Sequence, residues 1–251
     1  MTASVLAVNN TDKWFWTEWL GREANQQRIV TATREHVLLT VAAVVLGLAI
    51  ALPAAILVHR HPRLKGLVLG VAAGLYTIPS LALYRLLVPY TGLTYRTALV
   101  PLVLYTLLIL VRNTVTGLEQ VPAEVRDAAD GMGLSRRQRL WKVEMPLALP
   151  SIMAGVRIAT VSTIGMLTIA AIVGLGGLGR LILAGLNLPM RTSVTVGVGL
   201  SIILAVVADI GLAAVGRWLT PWTRRPRRAR GVDAGVPDDA VAMLPDGAVA
   251  T

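Results

Sequence analysis

Few residues in this chain of 251 are placed to do covalent chemistry. It has no cysteine, which removes thiolate nucleophiles, thiolate metal sites and structural disulfides, and leaves the redox compartment open. His59 and His61 are spaced like a metal pair. They sit in HRHPRLK among three cations with no carboxylate beside them in sequence, so the reading is interfacial positive charge. Gly174, Gly176 and Gly179 satisfy G-x-G-x-x-G, but a dinucleotide site needs a preceding strand, a following helix and an acid about 20 positions on. Here the motif follows an apolar run and the next acid is Asp209. A turn that packs closely or receives a partner fits better than a cofactor site. No G-x-x-x-x-G-K-S/T occurs, so ATP hydrolysis is not expected of this chain. What remains is ionic and aromatic. Arg112, Arg157 and Asp209 interrupt apolar runs, where an unpaired charge is costly. Asp209 is therefore expected to pair with Arg157 or Arg112, with a gating role as the alternative. Tyr76, Ser80, Tyr84, Tyr105 and Asn113 lie in the same runs, and aromatic faces can hold an organic cation.

The elements that position these residues are membrane spans. Hydrophobic residues make up 55% of the chain and mean hydropathy is +0.65, too apolar for a single soluble core. Crossing a bilayer takes roughly 20 apolar residues. Five stretches qualify: 37–58, 66–88, 98–117, 150–173 and 194–217. Pro79 is an expected kink in the second, and Gly70 with Gly74 an expected close-packing pair. The first 36 residues mix charges with no apolar core, so no cleavable signal peptide is expected. Trp14, Phe15, Trp16, Trp19 and Leu20 read as an amphipathic helix at the outer interface, with a loosely held tail as the alternative. The chain thus divides into an extracytoplasmic or interfacial segment 1–36, a membrane domain 37–217, and a tail 218–251, basic at first and then of disordered composition.

Lys and Arg set the orientation, because short cytoplasmic loops are enriched in them. Arg60, Arg63 and Lys65 follow the first span, the 118–150 segment carries more, and Arg217 to Arg230 follow the last. Five spans put all three regions on one side, so the N-terminus is expected outside and the C-terminus in the cytoplasm. The formal charge of +10 is then mostly topology, and nucleic acid is not an expected partner.

Residues 118–150, LEQVPAEVRDAADGMGLSRRQRLWKVEMPLALP, form a charged island between apolar runs. Pro122 suits a first helical turn, and Val121, Val125, Ala128, Ala129 and Met132 recur as one narrow face. Gly131 and Gly133 should end that helix. Ser135 and Gln138 read as a capping box opening a second short helix, with Arg136, Arg137, Arg139 and Lys142, that stops before Pro146. Ala128 and Ala129 are small enough for another protein to approach closely.

Asp127-Ala128-Ala129, Gly133, and then Leu149-Pro150 resemble the EAA loop of ABC importer permeases. The likeness continues through residues 151–186 and covers roughly 36–217; it is similar to the permeases of osmoprotectant importers for glycine betaine, carnitine and choline. Asp127 stands where that family usually has Glu, keeping the charge with a shorter reach. The resemblance implies an all-α integral membrane protein of the type I ABC importer permease fold, with five core transmembrane helices and a cytoplasmic coupling loop. It further implies ATPase subunits holding ATP and Mg, a second permease subunit, an extracytoplasmic substrate-binding protein meeting loops 89–97 and 174–193, and a path between the two permeases. Asp127, Ala128, Ala129, Gly133, Leu149 and Pro150 would couple to the ATPase, and Tyr76, Ser80, Tyr84, Tyr105 and Asn113 are path candidates. Transport of methionine or another amino acid is the nearer alternative. A membrane-embedded enzyme is the distant one, since Asp209 is the lone carboxylate within a span.

Overall fold

The computed structural model describes residues 14–188 and 190–223. Residues 1–13, the arginine-rich stretch 224–230 and the tail 231–251 lie outside them. A short helix, α1 (Thr17–Gly21), precedes α2 (Glu23–Arg60), which runs 38 residues without a break. At about 1.5 Å per residue α2 is about 57 Å long, well beyond a hydrocarbon core of about 30 Å. Its start lies 14 residues before the apolar stretch begins at Val37, because Arg22 leaves the helix-forming region with φ −73° and ψ 124° and marks the real boundary. Of the aromatic segment, Trp19 and Leu20 fall in the five-residue helix Thr17–Gly21, and Trp14, Phe15 and Trp16 precede it. The segment is tied down by Trp16 N–H donating to Thr192 Oγ1 at 3.0 Å and Asn25 Nδ2 donating to Trp19 O at 2.8 Å.

The second apolar stretch is two helices, α3 (Lys65–Thr77) and α4 (Ser80–Thr91), meeting at 86° across Ile78 and Pro79. Pro79 has no N–H for Leu75, and the residue before a proline is pushed to extended backbone, which is where Ile78 sits at φ −65° and ψ 126°. The phenol of Tyr105 donates to the carbonyl of Ile78, at the break itself. Helix α5 (Tyr95–Glu119) follows, then α6 (Ala123–Gly131), α7 (Arg136–Arg139), a π-turn (Leu140–Glu144), α8 (Met145–Ala170), α9 (Gly179–Asn187) and α10 (Arg191–Leu219). Counting α3 with α4 as one bent span, five elements among the described residues are long and apolar enough to cross a membrane. The bundle ends at Thr220; a separate unit begins at Pro221, whose described residues form a 3-10 turn, Pro221–Thr223.

The core lies where α2, α5 and α8 meet. Leu39, Ala43, Leu102 and Leu167 pack in its outer layer with Tyr84 of α4, and Ala51, Ala55, Leu110, Val115 and Ala159 in the next. Close approach of α5 and α8 requires small residues: a Cβ at Gly155 would meet Asn113 Cβ at 2.6 Å, and one at Gly117 would meet Ala148 O at 2.9 Å. Gly70 and Gly74, by contrast, have nothing within 4 Å of an added Cβ. The pair expected to pack closely faces away from the rest of this chain, because α3 presents its other side, including Ala72, to the bundle.

Candidate functional site

The 118–150 island folds into a projecting turn at the basic end of the bundle. Helix α6 starts after Pro122 and ends in a left-handed residue, Gly133 at φ +75°. There Leu134 N–H bonds Ala129 O at 3.2 Å and Gly133 N–H bonds Asp130 O at 2.9 Å, closing carbonyls the helix leaves open. Ser135 then caps α7 reciprocally: Gln138 N–H donates to Ser135 Oγ at 3.3 Å, and Ser135 N–H donates to Gln138 Oε1 at 2.9 Å.

Two expectations change here. The residues expected on one face divide between two. Val121 and Ala129 are buried, Ala129 at 1% exposure, while Ala128 is exposed and Met132 stands at 72%. Positions 128 and 129 are about 100° apart on a helix, so Ala128 shares its side with Met132 four residues on and Ala129 shares its side with Val125. Nor does the second helix stop before Pro146. It passes through the π-turn, where Met145 N–H reaches back to Leu140 O, and continues as α8 with Leu149 and Pro150 inside it. The wide turn accommodates a proline whose α-helical bond to Lys142 is missing.

Glu144, at the end of that turn, is 1% exposed and was not singled out by sequence. Its Oε2 accepts from His59 Nε2 at 2.9 Å, and its Oε1 lies 3.1 Å from Arg139 Nε and 3.7 Å from Arg126 Nε. His59 therefore has a carboxylate after all, from 85 positions away, which corrects its reading as plain interfacial charge. Arg139 turns inward to Glu144 and to Asp130, while Arg136 and Arg137 stay exposed. Asp127 is exposed and has no ion pair among the described residues. Leu118, Leu140, Ala148 and Ile152 fill the space beneath, against Leu48 and Ile56 of α2.

At the opposite end the glycine-rich segment packs on α2. Gly177, at φ +80°, donates its N–H to Glu35 Oε2 at 3.2 Å, and a Cβ there would meet His36 Nδ1 at 2.7 Å. His36 is fully buried: Nδ1 accepts from Leu178 N–H at 3.1 Å, so Nε2 carries the hydrogen given to Ile164 O at 3.1 Å. Arg180 pairs with Glu35, and Arg191 lies over the Trp14 ring at 5.3 Å. The 174–193 segment is thus a pinned turn followed by α9.

Between the two ends, Arg157 grips Asp209 with both arms, Nε to Oδ1 at 2.9 Å and a terminal nitrogen to Oδ2 at 2.7 Å. Arg112 is exposed and makes no ion pair among the described residues, Asp209 being taken by Arg157. The pair is 38% and 37% exposed and lines a groove of about 580 Å³ between α8 and α10. Tyr76 and Tyr105 meet edge to face at 5.6 Å beside the α3–α4 break, where Ser80 begins α4. Tyr84 is in the core with its hydroxyl unpartnered, and Asn113 packs against Gly155, its carbonyl accepting from Ser151 Oγ at 2.9 Å. The five residues therefore do not share one surface.

Five spanning elements with a basic, glycine-turned helix pair projecting from one end define a multi-pass membrane transport subunit. A family model described as binding-protein-dependent transport system inner membrane component matches residues 43–221, and the chain belongs to that family. It is 35% identical over 210 residues to a carnitine transport permease protein of Listeria monocytogenes, covering 83% of this chain and 96% of the relative. It is 39% identical over 202 residues to an osmoprotectant import permease protein of Salmonella typhimurium, covering 78% and 94%. With a choline transport system permease protein of Bacillus subtilis it shares 36% over 199 residues, covering 79% and 92%. Among solved structures, a chain of the inward-facing MetNI methionine ABC transporter superposes with a TM-score of 0.73 at 22% identity, covering 79% of this chain and 99% of that one.

Proposed function

We propose that this chain is the permease subunit of an ABC importer for quaternary-amine osmoprotectants such as glycine betaine, carnitine or choline. The observation that carries this reading is identity of 35–39%, over nearly the whole length of the relatives, to permeases named for those solutes. Likeness to the methionine transporter at 22% identity bears on the fold alone. The N-terminus is outside and the basic end cytoplasmic. A separate ATPase subunit, with its ATP and Mg, seats on the outward face of α6, where Ala128 and Met132 are exposed beside the uncommitted Asp127 carboxylate and Arg136 and Arg137. A substrate-binding protein delivers solute at the opposite end, over 89–97 and 174–193. A second permease completes the path. A bilayer cannot satisfy the donors Arg157 has left over, so its groove faces that second subunit or the path rather than lipid. The α3–α4 break, with Tyr76, Ser80 and Tyr105, is the other path-facing candidate.

Uptake of radiolabelled glycine betaine, choline, carnitine and methionine in a strain lacking its own carriers, with the complete transporter restored, tests the reading. Saturable uptake of at least one quaternary amine and none of methionine is expected; methionine uptake alone would overturn the solute class. Ala128→Asp places a charge in the docking face and should abolish co-purification of the ATPase subunit while leaving the permease in the membrane.

A further inference from the structure

Glu144 joins four elements through one carboxylate. His59 reaches it from the last turn of α2, Arg126 from α6 and Arg139 from α7, while Glu144 itself leads into α8. Arg126 also donates to Leu118 O at 2.8 Å, which adds the end of α5. A carboxylate is buried at such depth only when cations and hydrogen bonds compensate it. Compensation here is uneven. The His59 bond to Oε2 is well formed, whereas Oε1 and the Nε atoms of Arg126 and Arg139 are buried within ion-pairing range but outside hydrogen-bond geometry. A shared, half-made set of ion pairs can be rearranged by a small displacement of one member, whereas close-packed apolar contacts resist it.

The geometry says which displacement that would be. Helix α6 has nine residues and two working sides: Ala128 and Met132 look outward, and Arg126 looks in at Glu144. Anything that moves α6 from outside moves Arg126 against Oε1. Glu144 answers through His59, the last full turn of α2, and α2 is continuous from there to Glu35 and His36, which hold Gly177, Leu178 and Arg180 at the opposite end. Those 24 positions span about 35 Å, the thickness of the membrane.

We propose that Glu144 is a positioning residue that relays movement of α6 into α2 through His59, making α2 the strut that carries ATPase motion to the glycine-rich turn at the opposite face. The proposal rests on the reading above that an ATPase subunit docks on α6. The test uses the complete transporter in proteoliposomes, measuring uptake and ATP hydrolysis together for His59→Ala, Glu144→Gln, Glu144→Asp and the His59→Ala/Glu144→Gln double variant. His59→Ala and Glu144→Gln should keep their ATPase subunit and continue to hydrolyse ATP, with uptake per ATP lowered about tenfold. Hydrolysis should also lose its dependence on solute-loaded binding protein. The double variant should be no worse than Glu144→Gln alone, and Glu144→Asp should recover part of the loss. Uptake per ATP at the wild-type level in His59→Ala would overturn the relay, as would additive losses in the double variant. Loss of the ATPase subunit from both single variants would overturn it too, by showing that the cluster only builds the docking helix. If Glu144→Gln does not assemble, His59→Ala decides alone, since it leaves the carboxylate with both arginines. Failure of the docking reading looks different: the ATPase subunit would stay bound to Ala128→Asp.

Discussion

Arg157 and Asp209 show how a single pair can be settled by geometry. Two parallel hydrogen bonds leave little residual charge on either group, but removing one member strands the other in an apolar setting. Asp209→Ala should lower the amount of folded permease recovered from membranes several-fold, and Asp209→Ala with Arg157→Ala should restore part of it; quantitative immunoblotting and size-exclusion profiles check both. Normal abundance with abolished uptake would instead assign the pair to gating. His36 is a second case. Replacing it by Ala leaves the Leu178 N–H buried without an acceptor, at a cost of about 1–3 kcal/mol, read as a lowered thermal midpoint in detergent. Sequence had marked the pair, because a charge inside an apolar run is conspicuous. It had not marked His36 or Glu144, because each stands near the edge of such a run, where a polar residue is ordinary.

Two helix ends were legible, because a few neighbouring residues govern them. The Ser135 capping box and the Gly133 turn form where their spacing places them. Gly133→Val would force a β-branched residue to φ +75°, costing about 1–3 kcal/mol in the turn alone. The permease should reach the membrane at near-normal level, with co-purified ATPase and uptake both reduced. Helix faces were harder. Gly70 and Gly74 had the spacing of a packing face and proved to be open, whereas Gly155, which has the same spacing to Ser151 and Ala159, admits Asn113. Gly155→Val should therefore overpack the α5–α8 contact by about 1–3 kcal/mol and lower folded yield, while Gly74→Val should leave yield unchanged. The π-turn was invisible beforehand, since Pro146 reads locally as a stop.

For the whole molecule, the five-span arrangement places Arg96 and Arg137 on opposite sides of the membrane. With no native cysteine to confuse the result, Arg96→Cys should label with an impermeant maleimide in intact cells and Arg137→Cys only after permeabilisation. Labelling of Arg137→Cys from outside would reverse the orientation and remove α6 from the reach of a cytoplasmic ATPase. At the opposite end the charge of Arg180 is offset by its pairing with Glu35, whereas Arg191 lies over the neutral Trp14 ring.

By itself the sequence determined the class of molecule, the number of spanning stretches, the kink at Pro79 and the capped turn of the 118–150 segment. Hydropathy over about 20 residues and capping over four are local quantities, and no tertiary contact is needed to express them. Only the tertiary structure decided which charge meets which: His59 with Glu144 across 85 positions, Glu35 with Arg180 across 145, and Arg157 rather than Arg112 with Asp209 across 52. Each choice depends on how far a helix is rotated about its axis, and that rotation is set by contacts with other helices and by the extra residue in the turn before α8.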